Sequence, residues 1–377
     1  MSQEPRVLGI LLGTRPGIIK MAPLFHAAVE RGVTPVLIHS GQHYSANLDA
    51  EIWHEVQLPP PDRRVTRPVD ANSHAEVTAA MLVGIERALG ETGVTDFCVC
   101  GDANTNLAGA LAARKVHVRV GHVEAGLRSD DWRMPEEHNR VMIDHISEVL
   151  FAPTDTAAER LRSERVRGTI HVVGNTVVDS CRRHRPTGPV VPGSGPIVLT
   201  MHREENVDTP ETLDGLLTLA ARITELAGTR AVFPAHPRTL RRIQEFGLHH
   251  RLESVAGSID VVAPLGYRAM LEAIARAPLL LTDSGGLQEE ACILGTPCYT
   301  LRESTERPET VEVGANLILG TDLRCAWERY LGGKIVLGTV WRNPFGDGHA
   351  AERIIEAMWG APAGQPRPLR SATASVR

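Results

Sequence analysis

The chain alternates short apolar runs with longer segments of helical pattern, and this alternation restarts once. The first series begins with the apolar run Val7–Leu12 and a helical segment at 18–30. Strands separated by helices of about 10–15 residues are typical of a parallel, doubly wound sheet. The proline- and glycine-rich segment Arg185–Pro196 has the composition of an exposed connection, and a second series begins at Ile197. The sequence therefore predicts two α/β domains in succession.

Further strands are predicted wherever a short apolar run lies between helical segments. These runs are Pro35–His39, Phe97–Cys100, Val116–Val120, Val149–Ala152, Ile197–Met201, Ala231–Pro234, Asp260–Val262, Leu279–Leu281 and Pro297–Thr300. We place the first domain at residues 1–173 and the second at 174–349. A helix at 350–360 should pack back on the first domain, and residues 361–377 are predicted to be a disordered tail.

Charge and cysteine content exclude several classes of protein. The net formal charge of −5 gives no basic excess to attract nucleic acid phosphates. None of the six cysteines forms a C-x-x-C pair, so we expect reduced core thiols and no metal site. The run Val7–Leu12 is too short to span a membrane and leads into no cleavage site. We therefore expect a cytoplasmic protein without nucleic acid or membrane partners.

Polar residues cluster where predicted strands end, which is where open α/β sheets bind ligands. Four different strands are followed by such a residue or segment, namely by Arg15, Asp102, His202 and Ser284–Gly286. A lone histidine is more often structural than catalytic, so His202 alone would carry little weight. Because two sheets facing each other leave a cleft, the four positions together predict an active site with two walls.

Several residues suit a diphosphate ligand. The turn Ser284–Gly286 opens a predicted helix, where free N–H groups can bind phosphate. Arg15, Lys20 and Arg307 supply cations near predicted strand ends. The alternative for each is a structural turn or a solvated surface charge. No G-x-G-x-x-G follows any strand, so no dinucleotide cofactor is expected.

The segment from Gly121 to Arg140 has the highest density of charge in the chain. It contains Glu124 and Glu136 among three arginines and shows no clear periodicity, which is typical of a functional loop. Paired carboxylates can divide acid and base roles when their environments separate their pKa values. The alternative is a surface loop held by salt bridges.

The order of short motifs along the chain resembles the non-hydrolysing UDP-N-acetylglucosamine 2-epimerases of bacteria and archaea. The resemblance spans about residues 8–348 and is carried by GTRPGIIKMAPL, GDANTNLAG, GHVEAGLRS, MPEEHNRVMIDHISEVLFAPT, GNTVVDS, MHREEN, LTDSGGLQEEA, STERPETVEVGAN and NPFGDG. It implies two Rossmann-like doubly wound domains that face each other across a cleft in a GT-B-type arrangement. It also implies a homodimer.

The resemblance implies a reaction and assigns residues to it. UDP would be eliminated from UDP-N-acetylglucosamine to give 2-acetamidoglucal and then re-added, which inverts C2 and yields UDP-N-acetylmannosamine without a cofactor. The catalytic carboxylates would be Asp102, Glu124 and Glu136, and the active-site histidine His202. Glu290 matches the ribose ligand. The UDP-sugar-binding positions would be Arg15, Lys20, Arg140, His236, Ser284, Gly285, Gly286, Glu290 and Arg307.

The sequence departs from the usual family pattern at Gly17, Ala103 and Glu204, which leaves the substrate less certain than the chemistry. One alternative is a related UDP-sugar such as UDP-2,3-diacetamido-glucuronic acid. Another is a hydrolysing 2-epimerase. A GT-B glycosyltransferase is disfavoured by the carboxylate-rich segment, and a non-catalytic UDP-sugar binder by the intact carboxylate set.

Bacterial members of the family often carry a second UDP-N-acetylglucosamine site that activates the enzyme. Gln42, His43 and His236 match residues of that site, but Ser45 and Ala71 replace a glutamine and an arginine. Glu204 stands where a second arginine is usual. Because a carboxylate repels a diphosphate, we predict that the activating site is lost or altered.

Overall fold

The computed structural model describes residues 6–41, 46–65, 73–186, 188–333 and 339–359, without the side chains of residues 46–50 and 74. The predicted tail at 361–377 lies outside the described residues, and so do Gln42, His43, Ser45 and Ala71. Within the described part of the chain, no helix has both the length and the apolar composition needed to cross a bilayer.

The N-terminal half forms one parallel sheet. Its strands are β1 (Leu8–Leu12), β2 (Val36–His39), β3 (Arg63–Arg64), β4 (Asp96–Cys100), β5 (Arg119–Val123), β6 (Val149–Ala152) and β7 (Thr169–Val172). Its helices are α1 (Arg15–Glu30), α2 (Ala46–Glu55), α3 (His74–Thr92), α4 (Asn104–Lys115), α5 (Pro135–Ile146), α6 (Asp155–Ser163) and α7 (Thr176–His184). The strand order is β3-β2-β1-β4-β5-β6-β7, so the chain turns back at β1.

The C-terminal half repeats this plan. Its strands are β8 (Ile197–Thr200), β9 (Ala231–Pro234), β10 (Ile259–Val262), β11 (Leu280–Thr282), β12 (Cys298–Thr300) and β13 (Asn316–Ile318). Its helices are α8 (Glu204–Val207), α9 (Pro210–Ala227), α10 (Pro237–Glu245), α11 (His249–Val255), α12 (Tyr267–Arg276), α13 (Gly285–Leu294), α14 (Pro308–Glu312) and α15 (Leu323–Gly332). The strand order is β10-β9-β8-β11-β12-β13, again all parallel.

The predicted fold class, two doubly wound parallel domains in a GT-B-type arrangement, is confirmed. One predicted strand is wrong in position. The run Val116–Val120 starts three residues too early, because Val116 caps α4 and His117 has a left-handed φ of 61°. Pairing with β4 begins only at Arg119, and β5 extends to Val123. The expected loop from Gly121 therefore begins inside a strand and ends inside α5.

A final helix, α16 (Ala350–Trp359), follows the C-terminal half in sequence but packs on α1 and α7. Asp179 of α7 accepts hydrogen bonds from the first N–H groups of α16, including Ala351 N–H at 2.9 Å. Arg119 of β5 donates to the carbonyl of Met358 at 3.2 Å. α7 also packs on α13 of the other half, so its contacts do not assign it to one domain. The domain boundary at 173/174 therefore stays a prediction.

Candidate active site

The carboxyl ends of the two sheets meet at a buried cluster of charges. Lys20 of α1 contacts Glu124, which follows β5, with Nζ 2.5 Å from Oε1. The same ammonium lies 3.4 Å from Oε2 of Glu289 on α13, in the other half of the molecule. Arg307 pairs with Glu289 at 2.6 Å. Asn175 donates to both carboxylates, at 3.1 Å to Glu124 and 3.0 Å to Glu289. Two cations and two carboxylates thus join the two domains.

Glu124 is held in an unusual backbone conformation. Its φ of 67° lies in the left-handed region, which few residues other than glycine adopt. Gly101 also has a positive φ, of 77°, and a side chain there would lie 3.3 Å from Oε2 of Glu124. The thiol of Cys100 lies 3.8 Å from the same oxygen. The ends of β4 and β5 therefore aim this carboxylate into the space between the domains.

The ionisation of Glu124 is set by opposing effects. Burial opposes the charged form, but Lys20, Arg307 and the hydrogen bond from Asn175 outweigh burial and lower its pKa to about 2. Burial likewise opposes the charge on Lys20, yet Glu124 and Glu289 raise the pKa of its ammonium above its usual value. The charged forms of these cations and carboxylates therefore stabilise one another.

Glu290 lies next to Glu289 in sequence but in a different environment. Burial, reinforced by the charge of Glu289, raises the pKa of Glu290 to about 8. Its Oε2 atom has no hydrogen-bond partner among the described residues. A neutral carboxyl in this position can donate a hydrogen bond to a hydroxyl of a ligand.

Asp102 lies after β4 and is paired. Its Oδ2 accepts a short hydrogen bond from Arg140 of α5, and Arg140 also pairs with Glu137 at 2.7 Å. Asn139 donates to the backbone carbonyl of Asp102 at 2.8 Å. The carboxylate of Asp102 remains partly exposed, with 32% of its side chain accessible. It can therefore reach a ligand while α5 fixes its orientation.

Glu136 is the one proposed carboxylate that the structure does not bring into the cluster. It lies exposed on the first turn of α5 and makes no hydrogen bond or ion pair with other described residues. Its neighbour Glu137 is buried and accepts hydrogen bonds from the backbone N–H groups of Ser129 and Asp130. The sequence could not separate these roles, because two adjacent glutamates at a helix start look equivalent.

Three buried side chains that contact one another support the backbone next to Glu124. His122 contacts Asp144 through Nδ1 at 2.7 Å and the Gly101 carbonyl through Nε2 at 3.1 Å. Arg128 pairs with the other oxygen of Asp144 at 2.8 Å. Because all three side chains are buried, they fix the ends of β4 and β5 relative to each other.

His202 follows β8 on the opposite wall. Its Nδ1 lies 2.9 Å from Oδ1 of the fully buried Asp283. Oδ2 of Asp283 accepts from the backbone N–H groups of His202 and Arg203 and from Asn206. Asp283 thereby leaves Nε2 of His202 facing outward. The ring of His236, which caps α10, lies 5.7 Å from the ring of His202.

The remaining predicted binding residues border the same space. Arg15 opens α1 and reaches across to the Leu265 carbonyl of the other half at 3.3 Å. Ser284 caps α13 without a side-chain hydrogen bond, so the N–H groups at this helix start are available to an anion. Gly286 has open space where a side chain would lie. The assignment of these residues to catalysis and binding stays a prediction.

Two residues at the centre of the cluster escaped the site prediction. Glu289 and Asn175 lie within the motifs LTDSGGLQEEA and GNTVVDS, but neither is among the predicted site residues.

All six cysteines are free and, except for the half-buried Cys325, buried. No group of three or more His, Cys, Asp or Glu side chains among the described residues could hold a metal ion.

Comparison with known proteins places the chain in a family. The family model described as UDP-N-acetylglucosamine 2-epimerase matches residues 27–359. The UDP-N-acetylglucosamine 2-epimerase of Methanococcus maripaludis is 42% identical over 369 residues, which cover 94% of this chain and 98% of that protein. The UDP-2,3-diacetamido-2,3-dideoxy-D-glucuronate 2-epimerase of Pseudomonas aeruginosa is 36% identical over 358 residues, which cover 92% and 98%.

A solved structure supports the same assignment. The crystal structure of the Methanocaldococcus jannaschii UDP-GlcNAc 2-epimerase in complex with UDP-GlcNAc and UDP matches with a TM-score of 0.82 and 42% identity. The match covers 93% of this chain and 98% of that chain. The fold, the polar strand ends and the sequence relationship agree: the chain belongs to the UDP-N-acetylglucosamine 2-epimerase family.

Proposed function

We propose that the protein interconverts UDP-N-acetylglucosamine and UDP-N-acetylmannosamine. The observation that carries the proposal is the position of Glu124. This buried carboxylate is held ionised where the two domains meet, 2.5 Å from Lys20 and 3.1 Å from Asn175. A proton acceptor lies there next to cations that suit a diphosphate, which is what elimination of UDP across C1–C2 requires.

The chemistry explains why cations and carboxylates must lie together. The C2 proton is not α to a carbonyl and is only weakly acidic, so departure of the leaving group must drive the reaction. A carboxylate takes the C2 proton as the C1–O bond breaks, and UDP leaves with the bonding electron pair. Re-addition of UDP to 2-acetamidoglucal returns a proton to the opposite face of C2. No net oxidation occurs, so the cycle is balanced without a redox partner.

Lys20 and Arg307 can link substrate binding to the strength of the base. Both cations lie close to the carboxylates of Glu124 and Glu289. A diphosphate would compete for these cations, and charge-assisted contacts to phosphate are strong. Glu124 would then lose part of the stabilisation of its charged form, which raises its pKa and makes it a better proton acceptor. Asp102, Glu136 and His202 are proposed to share the remaining proton transfers.

The test is proton NMR of the purified protein in D2O with UDP-N-acetylglucosamine, run in parallel with UDP-2,3-diacetamido-glucuronic acid. We expect both UDP-N-acetyl sugars to appear with deuterium at C2. Release of UDP and free sugar would instead identify a hydrolysing 2-epimerase. Turnover of the uronate alone would assign the related substrate. Retention of the C2 proton, or a strict need for added NAD, would refute the elimination mechanism.

We also propose that the protein works as a homodimer in the cytoplasm, as the family resemblance implies. Light scattering coupled to gel filtration should give twice the mass of one chain. Cell fractionation should recover the epimerase activity in the cytoplasmic fraction. A monomeric mass that does not change with protein concentration would contradict the dimer.

A further inference from the structure

Asn175 lies beside both segments of the chain that connect the two domains. It precedes α7, which leads into the connection to β8, and its N–H donates to the Phe345 carbonyl on the returning segment at 2.8 Å. Gly174 before it has a φ of 90°, and a side chain there would lie 3.1 Å from the same carbonyl oxygen. The backbone of Asn175 is thus fixed beside both connecting segments, and its side chain is buried.

The orientation of the Asn175 amide follows from its contacts. Its Oδ1 accepts the N–H of Val177 at 3.0 Å and so caps the start of α7. With the oxygen used in this way, Nδ2 must face the two carboxylates, Glu124 at 3.1 Å and Glu289 at 3.0 Å. One amide group therefore binds a carboxylate from each domain.

We propose that Asn175 is a positioning residue that keeps Glu124 oriented and ionised by binding it and Glu289 of the other half through one amide group. The inference rests on the proposed function for the role of Glu124 in proton transfer. Glu289 reaches Asn175 from α13 of the C-terminal half, so the amide that binds Glu124 also binds a carboxylate of that half.

Asn175 differs from the other groups on Glu124 in one respect that matters during the reaction. The diphosphate would compete most strongly for the cations, because charge-assisted contacts are stronger than neutral ones. The neutral amide of Asn175 is buried, and both of its ends already contact protein groups, so we expect it to stay on Glu124 while UDP departs and returns. The charged and titratable groups that face Glu124 from the surrounding elements are Lys20, Cys100, Asp102, Glu289 and Arg307.

Two variants separate this role from helix capping. Serine and aspartate are both good N-cap residues, so Asn175→Ser and Asn175→Asp retain an acceptor for the N–H of Val177. Both remove the amide donor from Glu124. Asn175→Asp also adds a carboxylate beside two others, which raises the pKa of Glu124 further. Asp322→Ala is the matched control, because it removes the N-cap of α15 at a site remote from the cluster.

The experiment measures kcat, KM and the pH profile of each variant with UDP-N-acetylglucosamine. Asn175→Ser should lower kcat by roughly 10- to 100-fold, since a hydrogen bond to a charged group is lost, with KM changed only a few-fold. In the pH profile of kcat/KM, the loss of activity on the acid side should occur at higher pH than in the parent, and at still higher pH for Asn175→Asp. Asp322→Ala should lower Tm and leave this pH profile unchanged. If Asn175→Ser, which retains the cap, leaves kcat and the pH profile as in the parent, the amide donor has no role at Glu124 and the proposal is wrong.

An infrared titration gives a readout that does not depend on activity. The carboxyl band that disappears in Glu124→Gln belongs to Glu124, and it should titrate at higher pH in Asn175→Ser than in the parent. An unchanged titration overturns the role of Asn175. Absence of epimerisation by the parent protein would instead refute the proposed function, and the infrared titration would still decide whether Asn175 keeps Glu124 ionised.

Discussion

The carboxylate of Glu55 in the N-terminal domain accepts a hydrogen bond from the backbone N–H of Tyr267 in the C-terminal domain at 2.6 Å. Tyr267 is the first residue of α12, and the N-cap residue Gly266 has no side chain to cap this helix. A side chain at Gly266 would lie 2.4 Å from Oε1 of Glu55. The helix of one domain is therefore capped by a side chain of the other.

Glu55→Ala should weaken the docking of the two domains on each other. A helix cap contributes roughly 1 kcal/mol, so UDP affinity should fall by about fivefold if UDP binds only while this contact is formed. Glu55→Gln keeps an acceptor and should lose less, and the exposed Glu253→Ala serves as the control. Calorimetric titration with UDP measures the effect. Equal affinities for the parent and Glu55→Ala would show that this contact does not influence UDP binding.

Glu124→Gln and Asp102→Asn should reduce kcat far more than they weaken UDP binding. General acid–base groups typically contribute about 10²- to 10⁴-fold to rate. Glu136→Gln should behave similarly if the exposed first turn of α5 moves toward the substrate. Glu159→Gln, an exposed change on α6, is the control for expression and folding. Rates within a few-fold of the parent for all three site variants would rule out these assignments.

Arg15→Ala and Arg307→Ala should both weaken UDP binding, but with different effects on stability. Among the described residues, Arg15 makes one long hydrogen bond, to the Leu265 carbonyl at 3.3 Å, so its loss should leave Tm nearly unchanged. Removing Arg307 leaves the buried Glu289 without one of its cations, and breaking a buried ion pair commonly costs about 3–5 kcal/mol. Calorimetry and thermal unfolding measure the two effects. An unchanged UDP affinity would place the arginine outside the binding site.

Stability should depend on pH through Glu290 with a defined sign. Its pKa is raised from 4.5 to about 8 in the folded protein. Between these values the folded state holds a proton that the unfolded state has released, so the free energy of unfolding falls as pH rises. Glu290→Gln should therefore gain stability over the parent by up to roughly 1.4 kcal/mol per pH unit through this window. Chemical unfolding at several pH values tests this, and a constant difference contradicts it.

Glu124 should show the opposite dependence. Its pKa is lowered to about 2, so its contribution is present above its ordinary value of 4.5 and is lost as pH falls toward 2. Glu124→Gln should thus be less sensitive to acid than the parent. Acid unfolding of the two proteins side by side is the measurement. Identical acid sensitivity would mean that Glu124 is not held ionised by its neighbours.

The protein should not require activation by UDP-N-acetylglucosamine. Glu204 is exposed and pairs with Arg238 at 2.9 Å, which places a carboxylate and not an arginine at this position. The reaction with UDP-N-acetylmannosamine alone should therefore proceed without a lag. A trace of UDP-N-acetylglucosamine should not accelerate it. A reaction that stalls until the trace is added would show that the activating site is intact.

The fold could be predicted because strand and helix patterns are strong where strands are buried. The predicted run Ala231–Pro234 coincides with β9, and β4 differs from its prediction by one residue. The prediction missed β7, since Thr169–Val172 lies at a sheet edge and is half polar. Asp102 and His202 follow β4 and β8 as the sequence predicts, because parallel strands carry their loops to one edge of the sheet.

The pairing within the site could not be predicted, because it depends on contacts between distant parts of the chain. Asn175 lies 51 residues from Glu124 and 114 from Glu289. Only the folded arrangement shows that one amide binds both. Likewise, Glu289 is neutralised by cations while Glu290 is not, although they are adjacent and chemically identical.

The position of α16 has a consequence for how the protein is made. This helix buries Ile354, Ile355 and Met358 against the N-terminal domain, and Met358 packs over Gly121 of β5. A ribosome must therefore synthesise the entire C-terminal domain before the N-terminal core can close. Until then, α1 and β5 expose apolar surface on the nascent chain. A chain ending at residue 349 should accordingly be cleaved by protease faster within the N-terminal half than within the C-terminal half.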